Sequence, residues 1–405
     1  MKILYFQHVG LLGGSGRSLY ELIRALKAEI DVNFIVACPT GKLQNLFSEL
    51  GCEIFSTKGL SNFDNNRYSY YVGLRWLILI REFFLLFPTV ILFLKLKKTH
   101  RDVNIVHINE ITMPIVGLLS KLFYPNALII CHARAIQRKK RNLVSKILGR
   151  INNWSYDYVI CIDENVASSF PYKINKIIIH NGLPLPKEIR PKLKKSTIFR
   201  VGMVGSLNKS KGSMALLGAA NLLKERNLNT QLNFLIFGAV PRTKNKFFSN
   251  LLSLMRLKED LYFEALEFLK VNNLTNCVKL LTYEENLDAI YDKIDLVCFP
   301  SLLDAPGRPI FEAGVYGKPA IVSISEPRYD TFLPGKVGLI VKPNDEYALA
   351  NAIERYVKNP KKYFEHSKCC IQFYQNNFDI KKSACVMIDV YSSNSKLKRL
   401  PQCAE

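Results

Sequence analysis

Acidic residues are scarce. Of 405 residues, 34 are Asp or Glu against 56 Lys or Arg, and in residues 1–198 the count is 28 cations to 13 acids. So basic a surface disfavours a cationic partner and favours an anionic one: nucleic acid, acidic lipid headgroups or a phosphorylated substrate. CxxC spacing is missing as well. The ten cysteines (38, 52, 131, 161, 277, 298, 369, 370, 385 and 403) are scattered, several inside apolar runs. That pattern argues against a disulfide framework or a zinc site and predicts buried free thiols in a reducing cytoplasm. There is no low-complexity stretch and no internal repeat. The opening MKILYFQHVG passes directly into a Gly-rich turn, so no signal peptide is read there.

What is present is a regular alternation. KILYFQ (2–7), VNFIVAC (32–38), NIVHI (104–108), ALIICH (127–132), YVICI (158–162) and KIIIHNG (176–182) read as strands buried on both faces. Helical patterns such as SLYELIRALKAE (18–29) lie between most of them. Strand, helix, strand in succession implies parallel pairing through right-handed crossovers. After HNGLPLPKEIRPKLKKST (180–197) the pattern restarts with FRVGMVGSL, NFLIFGA (233–239), CVKLLTY (277–283), DLVCFPS (295–301), PAIVS (319–323) and GLIVKP (338–343). The expected class is α/β, with two doubly wound, Rossmann-like domains at 1–183 and 199–379. A linker is expected at 184–198, and a C-terminal helical segment at 380–405 returning to the first domain. Sheets of this kind bind ligands beyond the carboxyl ends of their strands, so the expected site is a cleft across which the domains face.

Two loops stand out. HVGLLGGSGRSLYEL (8–22) sets Gly10, Gly13, Gly14 and Gly16 between the first strand and the first helix, where backbone N–H groups can meet an anion. The spacing fits neither a P-loop, which needs Gly where Leu11 stands and Lys where Arg17 stands, nor a dinucleotide fingerprint, which needs Gly at Leu19. SLLDAPGRPIFEAGVYGKPA (301–320) carries the second feature: Asp304, seven residues, then Glu312. Asp304 is expected in a loop at a strand's carboxyl end and Glu312 in the first turn of the next helix. Two carboxylates so separated can accept hydrogen bonds from the hydroxyls of two rings, a sugar and a ribose. Gly307 and Pro309 would shape the loop so that N–H groups face phosphates. Glu312 could equally be a favourable acid near a helix N-terminus.

The segment resembles the signature of retaining glycosyltransferases of the GT-B fold, family 4: an acid, seven residues, Glu, then Ala and Gly-x-Pro. Here these are Asp304, Glu312, Ala313, Gly317 and Pro319. GGSGRS, the strand ending in His132, HNG (180–182), VGSLNKSKG (204–212) and DLVCFPS fall in the family's order along nearly the whole chain. The resemblance implies that Glu312 binds the nucleotide ribose, Asp304 the donor sugar's hydroxyls, and Lys211 the diphosphate. Arg308, Pro309 and Ile310 would join the nucleotide-sugar site. Gly14 and Gly16 would bring the first domain's backbone to it, and His132 would lie near the anomeric carbon. Two positions depart from the pattern. Ser206 stands where an Arg is common, which leaves Arg308 or Lys209 to supply the missing cation, and Asp304 is one methylene shorter than the usual Glu.

The implied activity moves a sugar, with retention, from a nucleoside-diphosphate sugar to a hydroxyl of a glycan or lipid-linked acceptor, as in bacterial surface polysaccharide synthesis. No D-x-D triplet occurs, so no metal or other cofactor is expected. YVGLRWLILIREFFLLFPTVILFLKLKKTHR (71–101) is broken by Arg81, Glu82 and Pro88, and its longest uncharged stretch is 83–94, too short to cross a bilayer. It reads either as core helix or as a helix lying in an anionic membrane interface, which would make the enzyme cytoplasmic and peripheral. Rival readings are a nucleotide-sugar epimerase of the same architecture, a non-catalytic sugar-nucleotide-binding relative, and a nucleic-acid-binding protein. The last leaves the acid pair unexplained and shows no recognised module.

Overall fold

The computed structural model describes residues 1–67, 71, 73–187, 198–241 and 261–393. Residues 188–197 of the expected linker and 394–405 of the C-terminal segment lie outside the described residues. The chain divides into two compact units, residues 1–184 with 378–405, and residues 185–377.

Unit 1 opens with β1 (Lys2–Phe6), α1 (Gly14–Glu29), β2 (Asn33–Pro39), α2 (Lys42–Glu49) and β3 (Glu53–Thr57). It continues with α3 (Ile78–Thr99), β4 (Ile105–Ile108), α4 (Pro114–Phe123), β5 (Leu128–Ala133), α5 (Leu143–Ser155), β6 (Tyr158–Cys161), α6 (Glu164–Ser169) and β7 (Lys176–Ile178). The strands form one sheet in the order β3-β2-β1-β4-β5-β6-β7. Every pairing in it is parallel. β1 and β4 are buried apolar runs, as a parallel sheet covered on both faces requires. β3 (EIFST), absent from the expected strands, is the half-buried edge strand and so lacks a continuous apolar run.

Two helices depart from their sequence pattern. α1 begins at Gly14, four residues before the apolar periodicity starts, because its first turn is built of poor helix formers held by tertiary contact. α3 runs unbroken through Pro88, where a break is expected. The acceptor that loses its donor there is the carbonyl of exposed Phe84, which water can reach, and the Thr89 hydroxyl donates to the Leu85 carbonyl at 2.6 Å.

Unit 2 repeats the plan. It comprises β8 (Phe199–Val204), α7 (Ser213–Glu225), β9 (Leu232–Phe237), α8 (Tyr262–Val271), β10 (Val278–Leu281), α9 (Leu287–Tyr291) and β11 (Leu296–Phe299). After these come α10 (Arg308–Val315), β12 (Ala320–Val322), β13 (Gly338–Ile340), α11 (Glu346–Lys358) and α12 (Pro360–Phe378). Its sheet is parallel in the order β10-β9-β8-β11-β12-β13.

The chain then returns to unit 1 as α13 (Ile380–Ser392). Ala384, Met387, Ile388 and Tyr391 of this helix enter the same buried cluster as Leu19, Leu22 and Ile23 of α1. Cys38, Cys52, Cys131, Cys161, Cys277, Cys298 and Cys370 are buried free thiols, and Cys369 is free and half-buried.

Candidate functional site

In each sheet the strand order reverses at one place, between β1 and β4 in unit 1 and between β8 and β11 in unit 2. Loops leaving the carboxyl ends of strands at such a point diverge and leave a crevice. The residues singled out from sequence leave the sheets at or next to these two places.

In unit 2, the KG turn after β8 is locked onto the end of β11. The Ser301 hydroxyl and the Leu302 N–H both donate to the Ser210 carbonyl, at 3.0 and 2.9 Å. Gly212 takes φ +70°, and a Cβ there would overlap the Pro300 carbonyl oxygen, so the close approach needs glycine. The Asn208 side chain accepts from the Lys211 N–H at 2.9 Å, which fixes the turn's start. Lys211 Nζ then lies 4.9 Å from the centre of the Phe299 ring. Its ammonium has no carboxylate partner among the described residues, and burial lowers its pKa. The ring also packs on Gly307, where a Cβ would overlap its edge. Phe299 thus joins the KG turn to the acid-pair loop.

Glu312 sits in the second turn of α10, not the first, because the helix starts at Arg308. Its carboxylate is buried and held on both oxygens. Tyr291 Oη donates to Oε2 at 2.9 Å, and Arg308 Nε to Oε1 at 2.6 Å. The buried ion pair therefore aims Glu312 rather than leaving Arg308 as an uncommitted cation. Asp304 has φ +46° and accepts from the Ser325 N–H and hydroxyl at 2.8 Å, joining its loop to the one after β12. Ser206 is half-buried and accepts from Asn208 Nδ2 at 3.2 Å. The Pro309 carbonyl accepts from Tyr291 Oη at 3.4 Å. Ile310 is buried, and its N–H is taken by the Gly307 carbonyl at 3.0 Å. The α10 N-cap, Gly307, has no side-chain cap.

In unit 1, Gly14 is the first residue of α1 and Gly16 the third. A Cβ on Gly14 would meet open space, whereas one on Gly16 would press on Leu43 of α2. Gly14 is thus free to face a ligand, and Gly16 is explained by packing. Asn109, just past β4, ties this turn down by donating to Gln7 Oε1 at 2.6 Å and to the Ser15 carbonyl at 3.2 Å. His132 is the penultimate residue of β5 and is buried. Burial, then the charge of Arg134, holds its pKa well below the usual range, so it is neutral. Arg134 is braced by Asn109 Oδ1 at 2.7 Å and by Asn181 Oδ1 of the HNG stretch. Glu110 is buried beside them, and desolvation raises its pKa to about 7, with Arg134 opposing.

Lys211, Ser206, Arg308, Pro309, Ile310, Glu312 and Asp304 are thus all in unit 2, and Gly14, Gly16 and His132 in unit 1. Sequence reading passed over Tyr291, Phe299, His107, Asn109, Arg134 and Tyr391. The available signals were local: His107 and Asn109 end an apolar strand, and Arg134 lies two residues after His132.

Residues 186–371 match the family model for glycosyl transferases group 1. No curated protein matches the chain in sequence. Solved structures do resemble it. HepE of Anabaena, in complex with UDP and glucose, is 19% identical over 97% of this chain and 100% of its own, with a TM-score of 0.70. A glycosyltransferase from Rickettsia africae is 19% identical over 98% and 99%, with a TM-score of 0.72. Sucrose-phosphate synthase from Thermosynechococcus elongatus is 17% identical over 96% and 98%, with a TM-score of 0.69. The chain therefore has the GT-B fold, and the part of it at residues 186–371 matches the model of glycosyl transferases group 1.

Proposed function

We propose that the protein is a retaining, metal-independent glycosyltransferase of family 4. It moves a sugar from a nucleoside-diphosphate sugar to a hydroxyl of a glycan or lipid-linked acceptor in surface polysaccharide synthesis. The observation that carries this is Lys211: a desolvated ammonium with no carboxylate partner among the described residues, pinned at the switch point of unit 2. Such a group wants an anion, and a diphosphate leaving group supplies one. The α10 N-terminus, whose cap residue offers no side chain, adds a second source of positive potential. Glu312, oriented by Tyr291 and Arg308, keeps lone pairs for the ribose hydroxyls. Asp304 takes the sugar hydroxyls when Ser325 yields or shares its carboxylate. Complexes of HepE with UDP and with UDP-glucose support a UDP-sugar donor.

In this reading the leaving phosphate accepts the proton of the acceptor hydroxyl as the new bond forms on the same face, so retention needs no enzyme nucleophile. Lys211 neutralises charge as it builds on the phosphate. The test is a panel of nucleotides and nucleotide sugars, UDP and UDP-glucose included. A bound donor at 100 times its Kd raises stability by about 2.7 kcal/mol, read as a shift in Tm. Slow release of free nucleotide from that sugar is expected, and Lys211→Met is expected to lower it by about 10²–10³-fold. If no nucleotide or nucleotide sugar shifts Tm or is turned over, the reading fails.

Peripheral membrane contact belongs to the same proposal. Trp76, Ile80, Phe83, Phe84, Phe87 and Leu94 on and before α3 are exposed, Phe87 to 73%. Phe83 also lines an apolar groove of about 410 Å³ between α3, α4 and α5, with Leu86, Ile115 and Ile147 among others. Residues 111–156 hold eight cations and no acid. No described helix is long and apolar enough to cross a membrane. Exposed apolar bulk beside basic residues suits an anionic bilayer surface.

A further inference from the structure

His132 belongs to a buried chain of hydrogen bonds that crosses unit 1. Tyr5 Oη of β1 lies 2.9 Å from Tyr391 Oη of α13, and Tyr391 Oη lies 2.7 Å from His107 Nδ1 of β4. His107 Nε2 in turn lies 2.8 Å from His132 Nδ1. All four side chains are buried, Tyr5, His107 and Tyr391 completely. Neither proposed substrate contact nor core packing requires two imidazoles and two phenols in one line.

The chain has two self-consistent proton arrangements. In one, each proton points towards His132: Tyr5 donates to Tyr391, Tyr391 to His107 Nδ1, and His107 Nε2–H to His132 Nδ1. In the other, every donor and acceptor is reversed. Arg134 decides between them. Its Nη2 lies 3.4 Å from the same His132 Nδ1, and a guanidinium can only donate. The second arrangement would set an N–H against that cation, whereas in the first it faces the Nδ1 lone pair, which it shares with His107 Nε2–H as the longer contact. The guanidinium is itself fixed by Asn109 and Asn181, so it cannot turn away. Both rings stay neutral because they are buried beside this charge.

With Nδ1 an acceptor, the proton of neutral His132 is on Nε2. That atom makes no hydrogen bond to the described residues and is not sealed from solvent. His132 lines a small cavity together with Arg134, Asn181 and Gly182. We infer that Arg134 sets the direction of this chain and that Tyr391 and His107 are positioning residues that hold His132 in the resulting Nε2–H tautomer, so that it meets substrate as a neutral hydrogen-bond donor to an oxygen and never as a base. The substrate part of this rests on the proposed glycosyl transfer; the tautomer does not. The ligand class it selects is an oxygen lone pair, such as a sugar hydroxyl oxygen of the donor.

The test has two arms, both on the full chain. Histidine-selective ¹⁵N NMR of the ligand-free protein at pH 7 is expected to show His132, assigned by loss of its signal in His132→Gln, with a protonated Nε2 and a bare Nδ1. A protonated Nδ1 or an imidazolium at His132 overturns the inference whatever the activity. The second arm is turnover of UDP-glucose or whichever nucleotide sugar the panel selects. Tyr391→Phe removes the donor to His107 and is expected to lower kcat about 5- to 20-fold with KM for the donor changed less than about 3-fold, and to mix the two His132 tautomers in the spectrum. His107→Gln keeps an N–H for His132 Nδ1 and is expected to retain more activity than His107→Leu. Equal losses in the two His107 variants, with the wild-type tautomer unchanged in both, would reduce His107 to packing and overturn its positioning role. If the panel yields no substrate at all, the glycosyl-transfer reading falls and the tautomer still stands or falls on its spectrum.

Discussion

Glu110 ties the chemistry of unit 1 to pH. Its carboxyl titrates near pH 7 in the folded protein because burial outweighs the attraction of Arg134. Below about pH 4.5 it is neutral in both states, and between there and pH 7 the unfolded chain ionises first. Its contribution to stability is therefore whole below pH 4.5, falls as pH rises to 7, and is constant above, a loss of roughly 3 kcal/mol at most. Glu110→Gln is expected to match wild type in Tm at pH 4 and to exceed it at pH 8. A difference that is flat with pH would contradict the assigned burial. Gly212→Ala is expected to destabilise unit 2 by roughly 3 kcal/mol in denaturant titration, since it combines positive φ with overlap on Pro300. At this scale sequence reading reaches residues that sit in local motifs, Lys211, Asp304, Glu312 and His132. It misses their holders, because Tyr291 is 21 residues from Glu312 and Tyr391 is 284 from His107.

At the scale of elements, α3 has two faces that periodicity alone cannot sort. Glu82, Thr89, Leu92, Phe93 and Leu96 are buried, and the Glu82 carboxylate accepts from the Asn62 N–H at 2.8 Å. The opposite side is equally apolar but exposed. A helix apolar all round normally lies within a core or a membrane, which is why its sequence supports both readings. Phe83→Ser with Phe87→Ser is expected to leave Tm within about 1 °C, because both rings are exposed. The same pair is expected to lower binding to vesicles of anionic phospholipid, measured by co-sedimentation at low salt, by about 10-fold. Unchanged sedimentation would dismiss α3 as a docking surface. Strands buried on both faces were legible as apolar runs. The edge strand β3 and the glycine-led start of α1 were not, because pairing and tertiary contact, not composition, make them.

At the scale of the molecule, the two-sheet plan is legible because its alternation is repeated and restarts once. The return of the C-terminal helix to unit 1 is an expectation of the sequence, but which α13 residues cover α1 is not legible, since that depends on packing. Without α13 the cluster around Leu19, Leu22 and Ile23 loses Met387, Ile388 and Tyr391, each a large buried side chain. Ending the chain after Asp379 is expected to abolish cooperative unfolding of unit 1 while unit 2 still melts, as limited proteolysis and calorimetry would show. Survival of a protected unit 1 would mean that its first 184 residues suffice.

The return of α13 also sets a timetable. At roughly 5–20 residues per second, synthesis takes about 10–40 s to pass from residue 184 to residue 380. Through that interval the first unit has all its strands but an uncovered apolar seam on α1, while the second unit is still being made. The nascent protein thus presents a sticky, nearly complete first unit for longer than most small domains take to fold. Its yield in a cell should depend on what shields that seam, a chaperone or the ribosome itself, more than on the final stability of either sheet.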